Sequence, residues 1–409
     1  MSSLELTPAG AQEGASAPGA ATGSSESIGR GYPRLLFVSL TVGHMAQGLA
    51  FTAFIAVLPQ MARELGAHGA WVAQMSIALA ALGLLMGSLA SGWILERAGT
   101  RGTLLTAAVV YGVSGAAGGV LRDPTLLLAS RFVVGFTAAC MVTTCLWGIA
   151  AEYAGHQRAR ALGISNATGN LSALLGTVLG GLLARHGGWP MAFLQYPLFA
   201  LPAFALVLVC MKQVRPARAH LAVAAERFFL RLLPFFLLAT FLFLVIFMGS
   251  TQLAFLLEED GIKDPAIRGP IMSQVTLAAT LTSFCYGWLQ QRLGVRGTFL
   301  SGLLFASAAL ASIGFGASVG SAALGAALLG IFVGLAVPYV YHTVTERTGA
   351  AVRGRAIGVV NAFNFLGAFL NPVLLAPLTR ILGVHGTFLT VAAVVALAAV
   401  ARLVTMLFF

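Results

Sequence analysis

The chain has 409 residues, of which 58% are hydrophobic and only 9% are charged, and its mean hydropathy is +0.89. Roughly a quarter of the residues are charged in ordinary soluble domains, so this composition excludes a soluble globular protein. The formal net charge of +11 does not indicate nucleic-acid binding, because no basic domain stands clear of the apolar segments. We expect a multi-pass membrane protein embedded in a lipid bilayer.

Apolar runs recur along the whole chain, and short segments between them hold the charges. Each run has the roughly 20 residues that a helix needs to cross a hydrocarbon core of about 30 Å. Residues 1–32 have no apolar run and are rich in Ala, Gly and Ser, which favours a disordered tail. The rest predicts an all-α integral membrane protein with twelve transmembrane helices, over residues 35–60, 70–95, 103–121, 124–151, 161–184, 190–212, 233–257, 267–290, 298–317, 321–345, 356–379 and 387–408.

The distribution of Lys and Arg predicts the orientation of these helices. Most of the 24 basic residues fall in the tail, in the connections on the same side as the tail, and at the C-terminal end. Because cytoplasmic loops are enriched in Lys and Arg, both termini are expected in the cytoplasm, and the short loops fit a bacterial inner membrane. Residues 33–213 and 232–409 would form two bundles, joined by a basic cytoplasmic linker at 214–231 that suits an anionic membrane surface.

The first predicted helix carries polar residues near its middle. His44 and Gln47 are three positions apart and therefore share one helical face. Because an unperturbed histidine titrates near physiological pH, His44 is our candidate for a proton site. The alternative is a neutral histidine that bonds to a backbone carbonyl.

The fourth predicted helix contains a charge at membrane depth. Arg131 lies about five to seven residues inside one helix end, roughly 10 Å at 1.5 Å per residue. A charge is costly there, which favours a functional role, and the alternative is an arginine that extends to the interface. All thirteen acids lie in the tail, in loops or at helix ends, so an anionic or zwitterionic substrate could use Arg131 whereas a cation would find no buried carboxylate.

Further polar and aromatic side chains fall within predicted helices, where they indicate a moderately polar central cavity. Trp147 is a candidate for stacking on a ligand, although such residues more often serve packing. Asparagines in membrane helices also form ordinary interhelical hydrogen bonds, which is the alternative for the group. The other candidates for the substrate and proton pathway are Asn166, Asn170, Gln252, Tyr339, His342, Asn361 and Asn364.

Two motifs occur twice, and both pairs are 195 positions apart. Residues 92–105 return as 287–300 with the shared pattern Gly-Trp, Arg, Gly, Arg-Gly-Thr. The Arg-x-Arg-Ala-x-Gly segments at 158–163 and 353–358 repeat at the same offset. The chain is therefore an internal duplication, and we expect two related halves that act together.

The segment Gly92-x-x-x-Glu96-Arg97-x-Gly99-x-Arg101 resembles the signature loop between the second and third helices of the major facilitator superfamily. The resemblance covers residues 33–409 and includes the helix count, the repeat and the basic central linker. It implies the major facilitator fold, in which two pseudo-symmetric six-helix bundles alternate between two conformations.

This loop is expected to act as a clasp that pairs charges in one conformation and releases them in the other. The expected members are Glu96, Arg97 and Arg101 with Glu152, and Arg292 and Arg296 with Glu346. The second copy has Gln291 where the first has Glu96, so we expect the stronger clasp in the N-terminal half. The alternative is a set of solvated basic loops whose ion pairs are weak.

The overall pattern resembles bacterial drug:proton antiporters. Gly176, Gly180 and Gly181 match part of the glycine motif of drug exporters, although Thr177 replaces its proline. We therefore expect a monomeric secondary transporter that couples protons to the efflux of a small amphipathic, anionic or zwitterionic organic compound. The alternatives are a proton-coupled importer or facilitator of a polar metabolite, and a membrane receptor or scaffold built on a transporter fold. Scattered histidines and helix-embedded cysteines predict no metal site, no cofactor and no enzyme.

Overall fold

The computed structural model describes residues 33–153, 155–211, 226–316, 318–348 and 350–408, and these are helical except at short connections. Short 3-10 helices cover Ile55–Val57, Gly66–His68 and Trp189–Leu194. The α-helices are α1 (Pro33–Thr52), α2 (Leu58–Glu64), α3 (Gly69–Val120), α4 (Pro124–Glu152), α5 (Gly155–Gly187), α6 (Gln195–Cys210), α7 (Glu226–Thr251), α8 (Leu253–Glu259), α9 (Pro265–Phe315), α10 (Val319–Glu346) and α11 (Ala350–Phe408). The all-α class is confirmed.

The predicted tail, residues 1–32, and residues 214–225 of the predicted linker lie outside the described residues, as do residues 212 and 213 at the end of the predicted N-terminal bundle. The last part of that linker belongs to a helix, because α7 begins at Glu226. We refer to α1–α6 as the N-terminal half and to α7–α11 as the C-terminal half.

Three of the helices are much longer than one membrane crossing requires. Helices α3, α9 and α11 have 52, 51 and 59 residues, and a helix rises about 1.5 Å per residue. Each contains one glycine with non-helical dihedral angles: Gly99 (φ 70°), Gly294 (φ 71°) and Gly383 (φ 71°). Because only glycine adopts a positive φ readily, each of these residues joins two helical segments through a sharp turn. Within the described chain, nine helices are long and apolar enough to cross a membrane.

The turns repeat with the same spacing as the sequence motifs. Helices α2 and α8 cover matching positions, since Leu58–Glu64 and Leu253–Glu259 are 195 residues apart. The described residues contain six glycines with positive φ, which form three pairs at this offset: Gly66 with Gly261, Gly99 with Gly294, and Gly188 with Gly383. The duplication therefore extends from two sequence motifs to the turn geometry of both halves.

The first long helix of each half is interrupted. A 3-10 turn separates α1, which ends at Thr52, from α2, and Gln252 separates α7 from α8. An interrupted helix leaves backbone carbonyls without their usual donors, and inside a membrane these carbonyls need another partner. Gln195 supplies one at the first break, because its Nε2 donates to Ala53 O at 3.0 Å.

Contacts between turns define one end of the bundle. Trp189 Nε1 donates to Glu64 Oε2 at 2.7 Å. The two ring nitrogens of His385 lie 3.1 Å from Gly314 O and 3.1 Å from Asp260 Oδ1. We call this end the far side, and we call the opposite end, where α6 ends and α7 begins, the linker side.

Candidate functional site

A cluster of ion pairs joins the two halves on the far side. Arg63 at the end of α2 forms an ion pair with Glu258 of α8. Arg268 forms a second ion pair with the same carboxylate, with its Nη1 2.9 Å from Glu258 Oε2. Arg268 is fully buried, and its Nη2 donates to Lys263 O at 2.6 Å. Arg63 and Glu258 occupy equivalent positions of the repeat, 195 residues apart. A contact between equivalent positions lies close to the axis that relates the two copies, so this pair marks the pseudo-twofold axis.

Backbone packing between α5 and α9 closes the same side. A Cβ atom added at Gly181 would lie 2.2 Å from Pro265 O, and one added at Gly269 would lie 2.8 Å from a carbonyl oxygen of α5. Small residues of this kind allow helices to approach closely in a membrane. Arg185 Nε lies 3.7 Å from Asp264 Oδ2 beside this contact, and because both side chains reach solvent the pair adds little on its own.

The face of α5 that packs against α9 on the far side is exposed toward the linker side. Thr177 and Gly181 are buried on this face, and Asn166 and Asn170 lie on the same face because they precede Thr177 by eleven and seven residues. Both asparagines are exposed. The halves therefore meet along α5 at the far side and diverge toward the linker side, where they leave a cleft.

His44 faces this part of α5. Its Nδ1 lies 2.8 Å from Ser165 Oγ, and the imidazole is partly exposed. A Cβ atom added at Gly169 would lie 3.1 Å from His44 Cβ, so α1 and α5 approach closely here. The partner of the ring is thus a serine hydroxyl rather than the backbone carbonyl of our alternative. Gln47, one helical turn further along α1, is also partly exposed.

Arg131 is fully buried inside the N-terminal half and does not extend to the surface. Its Nη2 donates to Ser114 O at 2.9 Å and to Gly115 O at 3.1 Å, whereas its Nη1 has no hydrogen-bond partner among the described residues. Three aromatic rings surround the guanidinium, with ring centroids 4.7–5.7 Å from its carbon atom, and they belong to Phe54, Phe193 and Tyr196. The structure therefore separates Arg131 from the cleft.

Two other candidates lie close to the core. Trp147 is partly buried and packs against the hydrophobic core of the bundle. Gln252 is fully buried at the junction of α7 and α8, and neither polar atom of its side chain has a partner in the described part of the chain. Burying an amide without hydrogen bonds is costly, so the unpaired side chain of Gln252 is energetically unfavourable in this conformation.

Tyr339 and Tyr341 point in different directions from α10. The Tyr339 ring stacks on Phe299, with centroids 4.2 Å apart and an interplanar angle of 15°, and is buried. The Tyr341 hydroxyl donates to Asn361 Oδ1 and accepts from Asn364 Nδ2 at 3.2 Å. The structure thus brings the two predicted asparagines together around a tyrosine that the sequence reasoning missed. Residues two apart on a helix point about 200° apart, and this spacing was the available signal.

His342 contacts α9 rather than the asparagine cluster. Its Nε2 lies 2.9 Å from Gln290 Nε2, so the amide donates and the ring nitrogen accepts. Glu346 Oε1 lies 3.8 Å from the same ring nitrogen. The predicted partner of Arg292 or Arg296 therefore contacts its own helix in this conformation.

The arginines of the repeated motif lie over tryptophans of the same copy. The guanidinium carbon of Arg97 is 3.7 Å from the ring centroid of Trp93, and that of Arg292 is 4.8 Å from that of Trp288. The two pairs are equivalent in the repeat, and cation–π contacts of this kind contribute about 0.5–1 kcal/mol at exposed sites.

The other predicted clasp residues lie beside the glycine turns of α3 and α9 or at the end of α4. Arg101 Nη2 donates to Leu208 O at 2.9 Å, which ties the motif to the end of α6. Glu96 and Glu152 are partly exposed, and Arg296 is exposed. Across the described residues, no group of three His, Cys, Asp or Glu side chains is placed to hold a metal ion.

These features define a helical membrane transport protein with related halves. The sequence profile of the Major Facilitator Superfamily matches residues 40–275 and 264–409, so the chain belongs to this superfamily. The predicted family, and the prediction of a transporter rather than an enzyme, are confirmed.

Similar curated proteins are named for drug resistance. The chain is 25% identical over 368 residues to the multidrug resistance protein MdtG of Escherichia fergusonii, with 87% of this chain and 90% of MdtG covered. It is 27% identical over 165 residues to the methyl viologen resistance protein SmvA of Salmonella typhimurium, covering 39% of this chain and 32% of SmvA. A tetracenomycin C resistance and export protein of Streptomyces glaucescens is 28% identical over 194 residues, covering 47% and 35%. The matched region therefore spans about a third of the last two relatives.

Solved structures show the same fold at low identity. The nucleoside transporter NupG aligns with a TM-score of 0.75 at 12% identity, covering 91% of this chain and 99% of NupG. The human organic anion transporter MFSD10 aligns with a TM-score of 0.65 at 20% identity, covering 90% and 99%. These similarities support the fold and carry no statement about the substrate.

Proposed function

We propose that the chain is a secondary transporter that exports a small amphipathic organic compound in exchange for protons. The observation that carries this function is the single face of α5, which is buried against the other half at Gly181 and exposed at Asn166 and Asn170. In alternating access, the two halves rock about a central site. They therefore have to be in contact at one end and separated at the other. The conformation described is closed on the far side.

We further propose twelve membrane crossings. The nine candidate helices include α3, α9 and α11, and each of these three turns at a glycine near the middle of its length. If each of their segments crosses once, the nine helices give twelve crossings. The positive-inside rule favours an orientation in which the linker side and both termini face the cytoplasm. We also propose that the protein lies in a bacterial inner membrane and acts as a monomer.

His44 is the proposed proton carrier. It lies at the cleft, and the partner of its Nδ1 is the neutral Ser165 hydroxyl, so no fixed countercharge at that nitrogen keeps the ring protonated. Arg131 was the reason to expect an anionic or zwitterionic substrate. Because its guanidinium is enclosed by aromatic rings and backbone carbonyls, a substrate anion would need a conformation that opens this enclosure.

Efflux is favoured by the names of the relatives, which refer to resistance and export. Import or facilitated diffusion of a polar metabolite is the second candidate, because the same cleft and the same two conformations serve either direction. The polar side chains of Asn166 and Asn170 fit this second candidate, because an exposed amide offers both a hydrogen-bond donor and an acceptor to a polar solute.

Coupling is tested by imposing a pH gradient across proteoliposomes and recording proton movement that depends on added substrate. We expect wild-type protein to respond to at least one compound of a panel that includes methyl viologen and chloramphenicol. His44→Ala should abolish the coupled signal, and His186→Ala, at an exposed histidine near the end of α5, is the matched control. Substrate movement without proton movement in wild type would overturn coupling, and an active His44→Ala variant would overturn the proton site.

A further inference from the structure

A histidine and an aspartate form a pair on the far side of the C-terminal half. His385 follows the glycine turn of α11, and its Nε2 lies 3.1 Å from Oδ1 of Asp260 at the end of α8. Its Nδ1 lies 3.1 Å from the backbone oxygen of Gly314, near the end of α9. The imidazole therefore joins three helices. Its side chain is 36% exposed, so protons can reach it from the far side.

Both ring nitrogens of His385 face oxygen atoms that accept hydrogen bonds. A backbone carbonyl accepts only, and so does an ionised carboxylate. A neutral imidazole has one N–H group and can satisfy one of these two oxygens, whereas an imidazolium has two N–H groups and satisfies both. A proton on the carboxylate, donated to Nε2, would leave the same number of protons in the pair. The geometry therefore favours a pair that holds one proton more than a neutral ring beside a carboxylate.

Asp260 depends on this proton. Its side chain is 6% exposed, and its Oδ2 has no hydrogen-bond partner among the described residues. Burying a carboxylate is costly unless a charge or hydrogen bonds compensate it. When His385 loses the proton, the ring can still donate to Asp260, but it then turns a lone pair towards the carbonyl of Gly314. The neutral pair therefore holds α8 and α9 together less firmly than the protonated pair.

The segments packed around the pair carry few other charges. Residues 297–338, which include the second segment of α9 and the start of α10, contain no titratable side chain. On α11, Arg380 precedes the histidine and is exposed. Along α8 and the start of α9, Arg268 pairs with Glu258, whereas Lys263 is exposed. The charged side chains of these segments, apart from the pair itself, are Glu258, Glu259, Lys263, Asp264, Arg268 and Arg380.

The N-terminal half has a ring–carboxylate contact at the matching place. Trp189 Nε1 donates to Glu64 Oε2 at 2.7 Å. At the offset of 195, these residues align with positions 384 and 259, each one position before His385 and Asp260. An indole N–H is a donor only and keeps its proton, whereas a histidine titrates near physiological pH. One half therefore has a permanent donor at this place, and the other half has a donor that depends on pH.

We propose that His385 and Asp260 form a second proton-binding site, which holds the far side closed while it is protonated. Asp260 follows Glu258 by two residues at the end of the same short helix, and Glu258 forms the ion pair with Arg63 of the N-terminal half. A protonated His385 fixes this helix end against α9 and α11 and so keeps Glu258 in place. The site rests on the proposed alternating access and specifies how pH controls it.

The direction of the pH effect follows from the two acceptors. The protonated pair satisfies both, so closure of the far side is strongest at acidic pH. It weakens as the pH rises through the range in which histidine ordinarily titrates, about pH 5–8. A proton taken up from the far side therefore favours the conformation that is closed on that side, which is the return step that proton antiport requires.

Distances between spin labels on the two halves test this site in the purified full chain, without substrate or pH gradient. Thr125→Cys and Gly320→Cys place the labels at exposed, equivalent positions at the far-side ends of α4 and α10, after the native cysteines have been replaced by alanine. Pulsed electron paramagnetic resonance then gives the ratio of long to short distances at the acidic and the alkaline end of the histidine range. We expect this ratio to rise about fivefold in the alkaline buffer, because one hydrogen bond is lost.

Two variants of the pair and one control assign the pH response to this site. His385→Gln should give the same distance ratio in both buffers, near the alkaline value of the unsubstituted pair. Asp260→Asn keeps an acceptor oxygen without its charge and should also lose the response, so it decides the question if His385→Gln does not fold. His68→Gln, at an exposed histidine of the far side, is the matched control and should respond like the unsubstituted protein.

A distance ratio that is equal in both buffers with the pair intact would overturn the site. A pH response that survives in His385→Gln and in Asp260→Asn would overturn it as well. pH-dependent distances without proton-coupled movement in liposomes would leave this site standing and overturn the proposed function. Proton-coupled movement with distances that do not depend on pH would overturn this site alone.

Discussion

The far side and the linker side of the molecule are organised by different contacts. On the far side, α5 and α9 touch through backbone atoms at Gly181 and Gly269, and charges of both halves meet at Glu258. On the linker side, Arg97 and Arg292 lie over tryptophans of their own segments. One end therefore has contacts that must break for the halves to separate, whereas the arginines at the other end have contacts that a movement of the halves leaves intact.

The difference shows how a duplicated chain can favour one closed end. The cluster at Glu258 combines one arginine that would leave with the other half, Arg63, and one that belongs to the same half, Arg268. Opening the far side would release Arg63, which is 53% exposed, into solvent, while Glu258 keeps the buried Arg268 as its partner. The movement therefore does not strand a buried charge, which would be expensive.

The largest effect is expected for Glu258→Gln. The substitution leaves Arg268 fully buried without its carboxylate, and removing one partner of a buried pair costs about 3–5 kcal/mol. We expect a clear drop in melting temperature together with loss of transport. Glu259→Gln, at the neighbouring exposed carboxylate, is the matched control and should behave like wild type. Equal melting temperatures for the two variants would contradict the role of the cluster.

A smaller but more specific effect is expected for Gly181→Ala. The added Cβ atom lies 2.2 Å from Pro265 O, so α5 and α9 must move apart, and overpacking of this kind costs about 1–3 kcal/mol. We expect the far side to become accessible to a water-soluble thiol reagent at an introduced cysteine, with transport reduced about tenfold. Gly163→Ala on the same helix adds the same atom where nothing lies within 4 Å. If both variants transport equally well, the close approach is not part of the closure.

Removing Arg63, the exposed member of the Arg63–Glu258 pair, should have a modest effect on far-side closure. Arg63 reaches solvent, so Arg63→Gln is expected to weaken far-side closure by less than about 1 kcal/mol, a small part of the Glu258→Gln effect. Its effect should also shrink when the salt concentration is raised, because surface charges are screened. Transport by Arg63→Gln and wild-type protein, compared at low and at high salt concentration, checks this. An effect as large as that of Glu258→Gln would show that the pair across the halves dominates the cluster.

The smallest effect is expected from making the two motif copies alike. Glu96→Gln gives the first copy the residue that the second copy has at Gln291, and we expect a few-fold slower transport because the predicted clasp loses its carboxylate. Gln291→Glu should leave the rate close to wild type. Initial transport rates at matched protein levels decide this. A stronger effect of Gln291→Glu would place the stronger clasp in the C-terminal half.

The sequence predicted the candidate site unevenly. It identified His44, Asn166, Asn361 and Asn364 as inward residues from their polarity within apolar helices, and the structure places the first two at the cleft and the last two around Tyr341. Tyr339 was also expected to line the pathway, and in the structure its ring stacks on Phe299. Polarity in a helix indicates that a side chain avoids lipid, but it does not distinguish a cavity from a neighbouring helix.

The far-side closure could not be predicted from local patterns. Arg63, Glu258 and Arg268 are each ordinary charged residues near helix ends, and nothing in their spacing indicates that they meet. Gly181 was noted as part of a partial exporter motif, and its contact is with a residue more than 80 positions away. Contacts across the two halves depend on how the bundles are docked, which no single helix encodes.

The sequence by itself determined the membrane class, the helical segments and the duplication, because apolar run length, charge placement and internal repeats are properties of the chain alone. It also predicted where two of the turns fall, because Gly99 and Gly294 lie in the gaps between predicted helices, and glycine adopts the positive φ that the structure shows there. Only the tertiary structure decided which end is closed and which polar side chains meet. Those outcomes follow from the packing of one half against the other, and that packing is set by surfaces built from residues far apart in the chain.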